Sequence, residues 1–276
     1  MSEASVKTAK SAKLAKTIKR VSSAKAPITA WQPLTLGGVA AYAHASPVRL
    51  LVTQCVVAVL SACCVLWFIQ TQYLPVIQRA ISILPEKGEI RSGQLLWKGD
   101  PVKPLGESPF LAVIVDMQDT GRLGQIADLQ CELRKNGLAL NSIGGRLEIP
   151  YPLGWVIAVN RNDLGPLLGA WRPMILATTG ISMSAFFLVL WSVLAGLYAP
   201  FIRVWTFLIG KQVTFGGCWR LASAALMPGA VVMSAAIVLY GLHGLDLVGL
   251  LAAFGLHLIV GGIYVFLGTF KLPGSR

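Results

Sequence analysis

Few side chains in this chain of 276 residues are spaced for chemistry. His257 sits in the middle of the apolar run Leu247–Phe270. An ionisable group inside such a run is by default a candidate for proton or ion handling. No acid shares the run, and the nearest, Asp246, stands at its edge. The expectation for His257 is therefore a neutral imidazole hydrogen-bonded to another helix. Asp119-Thr120-Gly121 follows an apolar stretch, as in aspartic proteases, whose chemistry needs two carboxylates sharing one proton. A single such triplet occurs, so a turn is expected there. Asp116, Asp119 and Asp128 could gather a cation, but they lack the alternation of a calcium-binding loop. His243, with Asp246 close by, reads as a solvated pair in a short turn. Residues 70–173 contain no histidine, which removes most hydrolytic triads and the common metal sites from that region. Cys131 and Cys218 stand alone, and Cys55, Cys63 and Cys64 crowd one apolar run. No metal spacing or disulfide framework results. Cys218 is juxtamembrane, and an inert thiol is expected there over an acylated one. No catalytic residue, cofactor or metal site is expected, and the chain reads as non-enzymatic.

The elements that would carry these residues are mostly membrane spans. Hydrophobic residues make up 55% of the chain, charged ones 13%, and mean hydropathy is +0.65. Soluble domains carry about twice that charged fraction. Four uncharged runs are long enough to cross a bilayer. They are Leu51–Ile69, about 174–198, about 221–242 and about 247–270. Leu60-Ser61-Ala62-Cys63 looks like a lipoprotein processing box. It lies inside its apolar run, after about fifty residues of preceding chain, so an uncleaved anchor is expected. Pro173 is expected to start the second span. Arg203 in 201–210 suggests a short segment along the inner interface. Pro228 should kink the third span, and Ala225/Gly229 and Ala230/Ser234 suit close helix contact.

Charge divides by side when the runs are read as spans. Lys7, Lys10, Lys13, Lys16, Lys19, Arg20, Lys25, Arg49, Arg203, Lys211, Arg220, Lys271 and Arg276 share one side with the single acid Glu3. The whole net charge of +12 then lies on that side. This positive-inside pattern orients both termini to the cytoplasm of an inner-membrane protein. It also accounts for the basic pI without nucleic acid as a partner. Residues 1–49 read as a disordered basic arm. Lys7, Lys10, Lys13, Lys16, Lys19 and Arg20 are its candidate contacts with anionic lipid headgroups, each worth roughly 1 kcal/mol near such a leaflet.

Residues 74–172 lie between the first two spans and read as an extracytoplasmic α+β domain. Tyr73–Leu84 continues the first span as a helix that Pro85 ends. Glu89–Trp97 is two short strands around Ser92-Gly93. Residues 98–109, with Pro101, Pro104 and Pro109, read as loop. Phe110–Met117 is the strongest strand, central and covered on both faces. Residues 122–142 fit either a helix or a hairpin. Asn136-Gly137 tips the balance to a hairpin, preceded by a short helical turn at 122–128. Arg146–Ile149 is a last strand.

The chain resembles a bacterial membrane-protein family of unknown function whose membrane part is similar to the Yip family. The resembling segments are Leu84-Pro85 with Ile90–Leu95, then Ala112–Asp116 with Thr120-Gly121. In the membrane part they are Thr214–Arg220, leading into Ala225–Pro228. The resemblance covers about 50–270 and implies no catalytic residue. Eukaryotic Yip members bind small GTPases in membrane traffic. That family has five spans where four are read here.

The expected fold is thus an integral membrane α-helical protein with four transmembrane helices. An extracytoplasmic α+β domain is inserted between helices 1 and 2. Residues 50–73 carry the first helix, 173–270 the membrane domain and 271–276 a cytoplasmic tail. The expected function is membrane organisation, or an adaptor role through a protein partner of the external domain. Ligand sensing as a regulatory subunit, or transport through the His257 region, is the alternative.

Overall fold

The computed structural model describes residues 31–119 and 124–274. Four of its helices are long and apolar enough to cross a membrane, and a sheet-containing region lies between the first and second of them. In chain order the elements begin with a short helix α1 (Leu36–Tyr42). Helix α2 (Pro47–Phe68) passes through a π-helical turn, Ile69–Tyr73, into α3 (Leu74–Ile83). The expected extension of the first span is therefore present. Eight strands follow: β1 (Glu89–Arg91), β2 (Gln94–Leu96), β3 (Val102–Glu107), β4 (Leu111–Asp116), β5 (Leu129–Leu133), β6 (Gly137–Ser142), β7 (Gly145–Pro150) and β8 (Val156–Ala158). Helices α4 (Arg161–Leu208), α5 (Phe215–Gly241) and α6 (Leu247–Phe270) complete the chain.

Helix starts are set by local chemistry. Thr35, Asn160, Thr214 and Asp246 stand just before α1, α4, α5 and α6. Each side-chain oxygen accepts from the backbone N–H of the third helical residue, at 3.0, 2.9, 3.1 and 2.7 Å. Each cap satisfies a donor that the helix leaves without a partner. Asp246, exposed in the turn like His243, is thereby a helix cap.

Several expectations are corrected. Residues 36–42 of the supposed disordered arm are helical, with Val39, Ala40 and Tyr42 buried, because an apolar stretch follows a good cap. Lys7, Lys10, Lys13, Lys16, Lys19 and Arg20 lie outside the described residues. Residues 98–109 are not all loop. They hold β3, and Pro104 is tolerated because β3 is an edge strand whose register slips between Pro104 and Gly106. Residues 124–128 are not helical. Pro173 does not start a helix but lies inside α4, which begins at Arg161 and continues through Leu208. Residues 201–208 are thus its last turns and not a separate segment. The last strand of the sheet region ends at Ala158. Strand β8 was not expected.

The described residues form two compact units. One comprises 31–53, Ser192–Pro228 and 261–274, the other 54–119, 124–191 and Gly229–Val260. In the first, α1 is held by polar contacts to backbone. Arg220 donates to the Ala43 carbonyl at 2.8 Å and Tyr264 to that of Leu34 at 2.8 Å. The described part of this unit contains Arg49, Arg203, Lys211, Arg220 and Lys271 and no acid.

The second unit holds both sheets. The smaller has the order β2-β1-β8, all antiparallel. Ser92 and Gly93 join β1 to β2 with φ of 52° and 75°. Two successive left-handed residues make the turn whose twist matches a hairpin. The larger sheet has the order β3-β4-β5-β6-β7. Only β4 and β5 run parallel, so the chain must cross over between them through 117–128. Helix α3 covers one face. Ala80 and Leu84 pack with Leu105, Val115, Ile90, Leu95 and Val159. A Cβ on Gly106 would stand 2.6 Å from the Val76 carbonyl oxygen, so only glycine lets β3 approach α3 this closely.

Candidate functional site

Strand β5 places Gln130, Glu132 and Arg134 on one face of the larger sheet. These polar residues are its buried positions, at 1%, 6% and 8% exposure. The crossover lies over them. Gln130 donates to the Gly124 carbonyl at 2.7 Å and accepts from the Ile126 N–H at 2.9 Å. Ala127 packs on Ala112 and Ile114 of the same face.

Glu132 is the centre of the network. One carboxylate oxygen accepts from Gln130 at 2.8 Å and from Asn141 of β6 at 2.6 Å. The other accepts from Nε of Arg134 at 3.0 Å and also from its Nη2. A buried carboxylate is tolerable only when its lone pairs are filled in this way. Arg134 is satisfied in turn. Its Nη1 pairs with Asp119 of the crossover and lies 3.6 Å from Glu148 of β7. Arg146 pairs with Glu148 and lies 3.6 Å from Asp119. Burial acts to lower the Arg134 pKa, but the hydrogen bond and charge of Glu132, with Asp119 and Glu148, hold it above the ordinary guanidinium value.

A cleft of about 580 Å³ opens beside Arg134, between the Asp116–Asp119 end of β4 and the Gly137 and Pro150 ends of β6 and β7. Of the charged groups that line it, Asp119, Arg134 and Glu148 are paired with one another.

A second cleft of about 570 Å³ lies at the opposite end of β4. Phe110, 2% exposed, stands at the centre of an aromatic cluster. Its ring centroid lies 5.4 Å from that of Phe68, 4.7 Å from Tyr240 and 4.9 Å from His243. The Tyr240 hydroxyl donates to Asp128. Gln72 donates to the Gly241 carbonyl at 2.9 Å. The loops of the sheet region thus dock on the turn between α5 and α6.

The residues singled out in the sequence are mostly kept apart. His257 does not bond another helix: its Nδ1 faces the Phe254 carbonyl of its own helix, with the Phe254 ring 4.8 Å away. Asp119 turns to Arg134, with a φ of 52°, while Asp128 turns to Tyr240. Thr120 and Gly121 lie outside the described residues. Among the described residues no group of histidine, cysteine, aspartate and glutamate could hold a metal. His243 stacks on Phe110, which no local signal in the sequence foretold. Cys218 is fully buried.

Cys131 faces the α3 side of β5. Burial pushes its thiol up to about 11, and the neighbouring Glu132 adds to the rise. At neutral pH its reactive thiolate fraction is then roughly a hundredfold below that of an ordinary thiol. Maleimide should accordingly modify Cys131 far more slowly than a cysteine placed at the exposed Lys98. Mass spectrometry of a labelling time course checks this, and equal rates would show that Cys131 is neither buried nor held protonated.

No family model matches the chain, and no curated protein or solved structure matches it either.

Proposed function

We propose that the chain is a multi-pass inner-membrane protein with both termini in the cytoplasm, and that it works without catalysis as an adaptor. In this reading the sheet region lies outside and engages a protein partner, while the basic side meets anionic lipid. The observation that carries the reading is the paired state of the ionisable groups around Arg134. Arg134 is held by Glu132, Asp119 and Glu148, and Arg146 pairs with Glu148; elsewhere in the sheet region Leu153 and Trp155 are 80% and 66% exposed. Large exposed apolar side chains this close in sequence suit an interaction site. The charge partition supports the orientation, and the segments Thr214–Arg220 and Ala225–Pro228 support kinship with the Yip-like bacterial family. The cleft beside Arg134 also favours a second reading, a sensor whose outer region binds a small polar ligand.

Two measurements test this. A membrane-impermeant thiol reagent should label Lys98→Cys in intact cells and Cys218 only after lysis and unfolding. Labelling in the reverse order would invert the topology. A photo-crosslinking residue at Leu153 should then yield discrete adducts with another protein in intact cells. Absence of any adduct, together with ligand-dependent thermal stabilisation of the purified protein, would replace the adaptor by the sensor.

A further inference from the structure

Strand β7 ends the larger sheet, and every one of its residues is exposed. The hydrogen-bond phase of its inner side is fixed. The Tyr151 N–H donates to the Asn136 carbonyl at 3.3 Å. With the β6–β7 register, bonded pairs then fall at Leu138/Ile149, Leu140/Leu147 and Ser142/Gly145. The alternate residues, Arg146 and Glu148, therefore turn their backbone N–H and C=O away from β6. Pro150, next in that phase, has no N–H to offer and marks the end of the open edge.

We propose that β7 pairs antiparallel with β7 of a second copy of this chain, about a two-fold axis at Leu147. An edge strand left open is a template for another strand. Side-chain charge selects both the occupant and the register. With Leu147 opposite Leu147 of the copy, each Arg146 lies opposite the other copy's Glu148. The two outward-facing residues then form two pairs that each exchange both N–H···O bonds. A shift of two residues either way sets Arg146 against Arg146 or Glu148 against Glu148, and parallel pairing sets like charges side by side. Like charges directly opposite are unfavourable. Arg146 and Glu148 are 43% and 64% exposed, so neither is already consumed in a buried contact. On the other face Leu147, 59% exposed, would be covered by its own copy. Lysines or a mid-strand proline would have blunted this edge. Its two charges are instead of opposite sign and one residue apart on either side of the axis. Self-pairing requires no heterologous partner and goes beyond the adaptor role.

The test uses the full chain in native membranes. Residues paired across the non-bonded position have Cα atoms about 4.5 Å apart, within disulfide range. Mild oxidation should convert Leu147→Cys into a cross-linked dimer. Lys103→Cys on the opposite edge strand, and the parent with its native cysteines, set the collisional background. Adding Arg146→Glu or Glu148→Arg to Leu147→Cys should lower dimer yield roughly tenfold, since each change converts two attractive pairs into repulsive ones. Co-expression of the two charge variants should restore it, because each copy then supplies what the other lacks. A purely intrachain role for Arg146 and Glu148 predicts no such rescue. A yield from Leu147→Cys no greater than from Lys103→Cys overturns the proposal. So does a dimer that forms but is indifferent to the charge variants. Foreign-protein adducts at Leu153 report on the adaptor role separately, so either reading can fail alone.

Discussion

Arg134→Met should destabilise the sheet region by about 3–5 kcal/mol, the usual cost of stranding one partner of a buried ion pair. The buried carboxylate of Glu132 would keep only the neutral donors Gln130 and Asn141. Asp119 and Glu148, both well exposed, would lose their shared cation at little further cost. Glu132→Leu should also be costly, because it leaves a guanidinium 10% exposed beside carboxylates that water already screens. The double variant should cost less than the sum of the two, since removing both charges removes the desolvation that each single change exposes. Pulse proteolysis of the full chain in detergent micelles along a urea series reads the three midpoints. Additive losses, or an Arg134→Met loss below about 1 kcal/mol, would mean that water reaches the pair and that it lies at the surface.

The same network shows how far the sequence could be read. The alternation Leu129-Gln130-Cys131-Glu132-Leu133-Arg134 locates β5, and Asn136-Gly137 helps to place the hairpin. Alternation alone does not say that the polar set is the more buried one. That follows from the crossover through 124–127, and a parallel β4–β5 pair is a long-range pairing with no local signal. The four long helices were legible because uncharged runs of that length have few alternatives. Their ends were less so. Pro173 looked like a start signal, yet α4 begins at Arg161, where Asn160 with Asp163 makes a stronger one. Pro104 looked like a loop signal, and only its place on an edge strand makes it a strand residue. His257 and His243 attracted attention by type. Position decided otherwise: one faces a carbonyl of its own helix, the other stacks on a phenylalanine more than a hundred residues earlier in sequence.

Phe110→Ala should cost about 3–5 kcal/mol, as removal of a fully buried aromatic ring usually does. The consequence goes beyond a cavity. Phe110 precedes β4, and its ring touches Phe68 of α2, Tyr240 of α5 and His243 of the following turn. Asp128, just before β5, reaches the same place through its bond from Tyr240. The starts of two parallel neighbouring strands are thus fastened to apolar helices at one spot. Phe110→Leu retains most of the volume but not the edge-to-face contacts, each worth about 0.5–1.5 kcal/mol, so it should fall between the parent and alanine. Tyr240→Phe should cost less than Phe110→Ala, roughly 1.5–3 kcal/mol for a hydrogen bond to a carboxylate. Limited proteolysis distinguishes a local loss from a shared one. If the cluster ties the strands to the helices, Phe110→Ala will raise cleavage in the sheet region and in the 242–246 turn together. Cleavage confined to the sheet region would make Phe110 an ordinary core residue of that region alone, and the turn would hold its place without it.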